Sequence, residues 1–223
     1  TGGNLKSVGF GTDNSVTNHG PRMNKAGGLV SIWILSMMNS SPETVIIVPY
    51  RAGSEGELGP VVKADYFGPV PPERLKVTPE AILFRGDSNY RSKIGTSQRR
   101  VKPMAGSINF RDGVLTLVRF DVPFDPVDHL YVNNAWQLPQ EHPFVGDVFN
   151  SYNDGPPGGD RPPLGAFYEI ESLSPAAELA TGQSLRHKHL TFHIQGDMAS
   201  LAKLAKITLG VDLDKVKAEM LGK

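Results

Sequence analysis

Cysteine is absent from the chain, which excludes disulfides, thiolate nucleophiles and cysteine-ligated metals while leaving the compartment open. Net charge is absent too. The 23 Lys and Arg balance 23 Asp and Glu, so no global basic field exists to hold nucleic acid or an anionic membrane. No apolar run reaches the ~18–20 residues of a membrane span; the longest, residues 28–38, is broken by Ser31 and Ser36. Internal repeats and low-complexity tracts are missing as well. The chain opens Thr1-Gly2-Gly3 with no signal-peptide pattern, so any targeting segment has been removed or was never included. An extracytoplasmic location, periplasmic or secreted, is the expectation.

What is present is punctuation. The 24 Gly and 18 Pro make up about a fifth of 223 residues and are scattered along the chain, the composition of an all-β protein with many turns. With 39% hydrophobic residues the chain can bury one good-sized core. Alternation and turn residues predict strands over 5–10, 29–37, 44–49, 81–84, 106–110, 114–122, 129–138, 147–152, 166–172 and 185–194. Residues 29–37 (LVSIWILSM) are apolar on both faces, which predicts a central strand covered on both sides. Asp112-Gly113 between apolar runs predicts a hairpin. Helix is expected only at the end: Asp197 and Asp212 are N-cap residues for two short amphipathic segments, and Gly210 stops the first. The expected organisation is a β-sandwich over 1–195 with a helical segment, 196–223, packed on its edge or back.

Two late strands concentrate the ionisable side chains. In 166–172 Glu169 and Glu171 alternate with Tyr168 and Ile170, and in 185–194 His187, His189 and His193 alternate with Leu190, Phe192 and Ile194. Turn residues between them make antiparallel neighbours in one sheet the expected pairing. With both apolar faces toward the core, two carboxylates and three imidazoles would share the opposite face, enough for proton transfer or for a metal. Glu171 or Glu169 with His187 and His189 would supply three ligands to a divalent metal and leave one position open. Such a face is equally the ordinary solvated side of an antiparallel sheet.

Two connections also stand out. Residues 85–102 carry Arg85, Arg91, Lys93, Arg99, Arg100 and Lys102 against one acid, Asp87; the run reads either as a solvated loop or as a site for an acidic sugar or phosphate. Residues 150–157 (NSYNDGPP) combine Tyr152 with Asn153 and Asp154, side chains that stack on and hydrogen-bond to sugars but also form ordinary turns. Trp136, after Asn133-Asn134, is a further candidate sugar contact or a core residue.

The segments 14–19 (NSVTNH), 90–95 (YRSKIG), 150–156 (NSYNDGP), 168–175 (YEIESLSP) and 179–183 (LATGQ) resemble a family of uncharacterised bacterial proteins grouped with the galactose mutarotase-like (aldose 1-epimerase-like) superfamily. The resemblance implies an antiparallel β-supersandwich with a carbohydrate site on a concave face. It also implies a general base at Glu171, with Glu169 the competing assignment, and a general acid at His19 in Thr17-Asn18-His19. Mutarotases continue that motif with aromatic residues and Asn, where this chain has Gly20-Pro21-Arg22. The resemblance assigns no role to His187 or His189; with Arg91, Trp136, Tyr152, Asn153 and Asp154 they remain substrate-binding candidates.

Three functions follow as expectations: interconversion of a sugar at its anomeric centre, carbohydrate binding without turnover, and a metal-dependent reaction at the His-x-His strand. The partner is a mono- or oligosaccharide, and no cofactor is required on the first two readings. In the resembling family the Thr-Asn-His motif falls well inside the domain. This chain is therefore expected to match only the C-terminal part of the supersandwich and to need a companion N-terminal segment or a homo-oligomer.

Overall fold

The computed structural model describes residues 4–123, 128–135, 139–158 and 160–222. In chain order these residues form β1 (Lys6–Thr17), β2 (Trp33–Asn39), β3 (Thr44–Pro49), a helical turn α1 (Glu55–Leu58), β4 (Leu75–Val77), β5 (Ala81–Arg85), β6 (Ser92–Thr96), β7 (Met104–Asn109), β8 (Val114–Phe120), β9 (Phe149–Asn153), β10 (Phe167–Leu173), β11 (Ser184–Gln195), α2 (Met198–Thr208) and α3 (Leu213–Leu221). The strands build two antiparallel sheets, one of seven in the order β1-β11-β8-β7-β3-β5-β4 and one of four in the order β2-β10-β9-β6. The expected all-β class with two C-terminal helices is what the structure shows.

The seven-stranded sheet is the middle layer. Ile46, Val48, Ile82, Phe84, Val118 and Phe120 point from it toward Met38, Ile94, Phe149, Tyr168 and Ile170 of the four-stranded sheet. Val45, Ile47, Leu83, Ile108, Leu115 and Ile194 point the other way, onto Leu201, Ala205, Leu209, Val216 and Met220 of the helices. Asp197 accepts from Ser200 N and Asp212 from Asp214 N, so both predicted caps form. The predicted hairpin turns at Gly113, whose φ of 61° favours glycine.

The doubly covered strand is β3, every residue of which is buried. The run 29–37 is different: β2 is an edge strand, and Trp33, Leu35 and Met37 are 40%, 43% and 62% exposed. One face, with Met38, packs against the seven-stranded sheet, while the other, with Trp33, Leu35 and Met37, is exposed. The expected strand 129–138 is also absent from its described part, where Tyr131 makes an isolated bridge to Val145. Conversely, the basic stretch 85–102 is not one open loop. It contains β6, all of it buried, and the fully buried Arg100.

Among the described residues β1 and β2 are edge strands, each paired on one side only. Val8 and Phe10 on β1 are exposed, as is Phe192 beside them. The expectation of companion strands or a second copy concerns these two edges.

Candidate functional site

β10 and β11 lie in different sheets, so the expected pairing between them does not form. β10 pairs with β2 and β9, and β11 with β1 and β8. The alternation on each strand is as read, but the faces are exchanged on β11. His187, His189 and Thr191 point between the sheets and are buried, while Phe192 is exposed on the far side. There the imidazoles meet not the glutamates but the residue between Glu171 and Leu173. Ser172 Oγ lies 2.8 Å from His187 Nε2 and 2.8 Å from His189 Nδ1, and His189 Nε2 lies 2.7 Å from Ser36 Oγ. One hydroxyl proton serves two rings, so Ser172 donates to one and accepts from the other. Burial lowers the pKa of His187, and takes that of His189 down to about 4 with His187 adding to the shift. These rings therefore stay neutral and tie the sheets together.

Glu169 and Glu171 alternate with Ser172 and so project from the opposite, outer face of the four-stranded sheet. The metal set of Glu171 with His187 and His189 is thus separated by the thickness of a sheet. Among the described residues no group of three His, Cys, Asp or Glu is placed to hold a metal.

The outer face is built in two cross-strand rows. One runs Leu35, Glu171, Asn150, Gly95, and the other Met37, Glu169, Tyr152, Lys93. Lys93 reaches diagonally, its Nζ 2.9 Å from Glu171 Oε2, and the same oxygen accepts from Trp33 Nε1 at 2.8 Å. The Lys93 ammonium also lies 5.0 Å from the centre of the Trp33 ring and 5.5 Å from that of Tyr66. Neither partner of this ion pair is more than 5% exposed at its side chain.

Glu171 Oε1 is buried and has no N–H or O–H donor among the described residues. The neighbouring carboxyl of Glu169 lies on the same face of the strand. Burial raises its pKa, the charge of Glu171 raises it further, Lys93 pulls it back, and the result is about 7. Burial and the adjacent Glu171 charge thus favour the protonated form of the Glu169 carboxyl.

Around this pair, Asn150 Nδ2 donates to Tyr66 Oη at 3.0 Å, and Tyr66 in turn donates to Asp147. Burial, before any charge effect, raises the pKa of both Tyr66 and Asp147. Asn134 Nδ2 donates to Asn150 Oδ1 at 2.8 Å, while Asn134 Oδ1 is buried without a donor among the described residues. Tyr152 donates to Asp154 Oδ1 at 2.7 Å and accepts from Arg91 Nε at 3.3 Å, and the Arg91 guanidinium stacks 4.2 Å over Phe67.

The structure thus gathers Glu171, Glu169, Tyr152, Asp154 and Arg91 from the candidate list. Asn153 faces the other way, holding Tyr90 O, Asp154 O and Ser88 N, and is a structural clamp. His19 is exposed, and no hydrogen bond, ion pair or ring contact joins it to either glutamate among the described residues. Trp136 lies outside the described residues. Missed from sequence were Trp33, Tyr66 and Asp147, while Lys93 and Asn150 were read only as members of the basic run and of the 150–157 segment. Two signals were within reach: Lys93 alternates with Ser92 and Ile94 in a strand-like run, and Asn150 precedes Tyr152 by two.

The sequence matches the model of a family of unknown function, DUF6786, over residues 1–220. The chain belongs to that family. Among curated proteins there is no match. Two solved structures are similar in fold. A proposed aldose 1-epimerase of Escherichia coli K12 is 13% identical with a TM-score of 0.45, covering 85% of this chain and 57% of its own. The Slr1438 protein of Synechocystis sp. PCC 6803 is 8% identical with a TM-score of 0.39, covering 86% of this chain and 51% of its own. The family member described here spans little more than half the length of either.

The site makes a prediction on pH. Glu169 titrates near 7 when folded and at 4.5 ordinarily, so its contribution to stability is full below pH 4.5 and is lost as pH rises through 7. His189 has the opposite sign: folded at about 4 against 6.5, it contributes above pH 6.5 and is lost as pH falls toward 4. Glu169→Gln removes only the first effect. The melting temperature of the variant relative to wild type is expected to climb from pH 4.5 to 7.5; a constant difference would show that Glu169 does not titrate there.

Proposed function

We propose that the outer face of the four-stranded sheet is a carbohydrate site at which Glu171 and Glu169 act as base and acid on a cyclic sugar. The observation that carries this is two neighbouring carboxyls on one face, Glu171 fixed by Lys93 and Trp33 and Glu169 pushed up to about 7 by burial. Glu171 takes the proton of the anomeric hydroxyl as the ring C–O bond breaks, and Glu169 delivers its proton to the ring oxygen. Rotation about C1–C2 and the reverse transfers return both groups to their starting states. A group titrating near 7 suits that exchange at neutral pH. Trp33 supplies a partly exposed ring for stacking, and Asn134 Oδ1 an acceptor awaiting a hydroxyl. The sequence resemblance to the mutarotase-like superfamily supports the same assignment of Glu171, with Glu169 replacing His19 as the acid.

Glu171 itself has no exposed surface, so a sugar reaches it only when side chains packed on it, Trp33 and Lys93 among them, shift. That burial favours one other reading, a face that binds sugar without turning it over. Polarimetry of freshly dissolved α-glucose and α-galactose, paired with calorimetric titration of both, separates them. Faster approach to anomeric equilibrium supports catalysis; heat of binding without acceleration leaves a binding protein; neither would overturn the site.

A further inference from the structure

Every residue of β1 from Lys6 to Asp13 is exposed, and two of them are large and apolar, Val8 at 62% and Phe10 at 56%. The position of the strand explains this. Ser36 of β2 lies 2.7 Å from His189 of β11, so β2 stands over β11 and β1 reaches about one strand spacing, ~4.8 Å, beyond it. Opposite residues of an antiparallel pair share a face. Val8, Phe10 and Thr12, set against His193, Thr191 and His189, therefore lie on the inner face but past the cover of the four-stranded sheet.

The outer edge of β1 carries none of the usual protection against strand pairing. Its register with β11 runs unbroken from Lys6–Gln195 to Thr17–Ser184, so no bulge turns it away, and it holds no proline and a single lysine, at its end. Asn18 N donates to Gln183 O at 3.0 Å, one step past that register. Hydrogen-bonded pairs alternate along an antiparallel ladder. The even-numbered residues of β1 are thus bonded to β11, while Ser7, Gly9, Gly11 and Asp13 turn their N–H and C=O groups outward.

We infer that β1 pairs antiparallel with β1 of a second copy about a two-fold axis at Gly9, joining the two seven-stranded sheets into one. The strand is self-complementary about that residue. Val8 of each copy stands opposite Phe10 of the other, in the non-hydrogen-bonded pairs where side chains approach closest. Ser7 faces Gly11 and Lys6 faces Thr12, so no like charges are opposed. With the axis at Phe10 instead, Val8 would meet Thr12 and the apolar match would be lost. On the outer face the Phe192 ring fills the space above Gly9, where a Cβ would come within 2.5 Å of it, so two rings flank the Gly9 pair. Residues 4–14 of both strands pair in this register and remove on the order of 1,000 Å² from water, the lower bound of a stable interface. The same two-fold cannot be built on the β2 edge, because β1 projects beyond it.

The test is light scattering of wild type and of Phe10→Lys, a change on surface already exposed in one copy that would bury a charge at the centre of the interface. The expected mass is twice that of the chain for wild type and that of one chain for the variant. A monomeric wild type overturns the proposal, and so does a dimer that survives Phe10→Lys. Cysteine trapping tests the register separately, since the chain has no cysteine of its own. Cα atoms of a non-hydrogen-bonded pair lie about 4.5 Å apart, within disulfide reach, whereas like positions meet only diagonally. Val8→Cys mixed with Phe10→Cys is therefore expected to form a disulfide-linked pair of unlike chains roughly tenfold faster than either variant alone. Equal rates for the mixture and the single variants overturn the two-fold at Gly9.

Discussion

Glu171→Gln is expected to lose anomer-interconverting activity by a factor of about 10²–10⁴, the usual contribution of a general base, and to lose stability as well. The substitution leaves the Lys93 ammonium buried without its counter-charge, and breaking a buried pair on one side costs about 3–5 kcal/mol. A double variant separates the two effects. Replacing both members, Glu171→Gln with Lys93→Met, removes the orphaned charge, so most of the stability returns while activity stays lost. Denaturant midpoints and polarimetric rates on the three proteins decide it. Recovery of activity along with stability in the double variant would make the pair a structural ion bridge and nothing more.

Arg100→Ala is the other substitution with a large expected effect, this time on the fold. Arg100 has no exposed surface, and no carboxylate partner among the described residues. Its guanidinium instead donates to Gly59 O at 2.7 and 3.0 Å, to Arg51 O at 2.9 Å, to Gly53 O at 3.1 Å and to Ser54 O at 3.3 Å. It is the hub that closes the irregular segment leading to Lys63 and Tyr66. Removing it leaves buried carbonyls unpaired and a cavity behind, a loss of about 3–5 kcal/mol out of the 5–15 kcal/mol typical of a whole domain. Arg100→Lys keeps the charge but not the planar fork and is expected to recover only part of it. A loss below about 1 kcal/mol for the alanine variant would show that the segment holds its shape without the hub.

What the sequence made legible follows from which forces are local. The all-β class, the Asp112-Gly113 hairpin and both helix caps were readable because turn and cap chemistry reside in a few adjacent residues. The alternation of glutamates and histidines was readable for the same reason. Which sheet each strand joins was not. Period 2 says that Glu171 and Ser172 face opposite ways, but not which of them meets His187. The assumption that apolar faces turn inward failed on β11, because Ser172 and Ser36 from the other sheet satisfy the imidazoles there, which makes a polar seam as buriable as an apolar one. The same gap hid Trp33. An apolar run looks alike whether it is covered on both sides, as β3 is, or left at an edge, as β2 is. Lys93 was masked by its basic neighbours; only the fold shows that Arg99 is exposed while Lys93 and Arg100 are buried.

The account turns on Glu171, Lys93 and Trp33 forming the floor of a sugar site, and the indole N–H of Trp33 reports on it directly. The chain has only two tryptophans, so a ¹⁵N–¹H spectrum holds two indole cross-peaks and Trp33→Phe assigns them. Titration with galactose, glucose or lactose is predicted to move the Trp33 cross-peak as the indole leaves Glu171 for the bound sugar. A cross-peak that stays fixed while calorimetry shows the same sugar saturating the protein would contradict the account and place the sugar elsewhere.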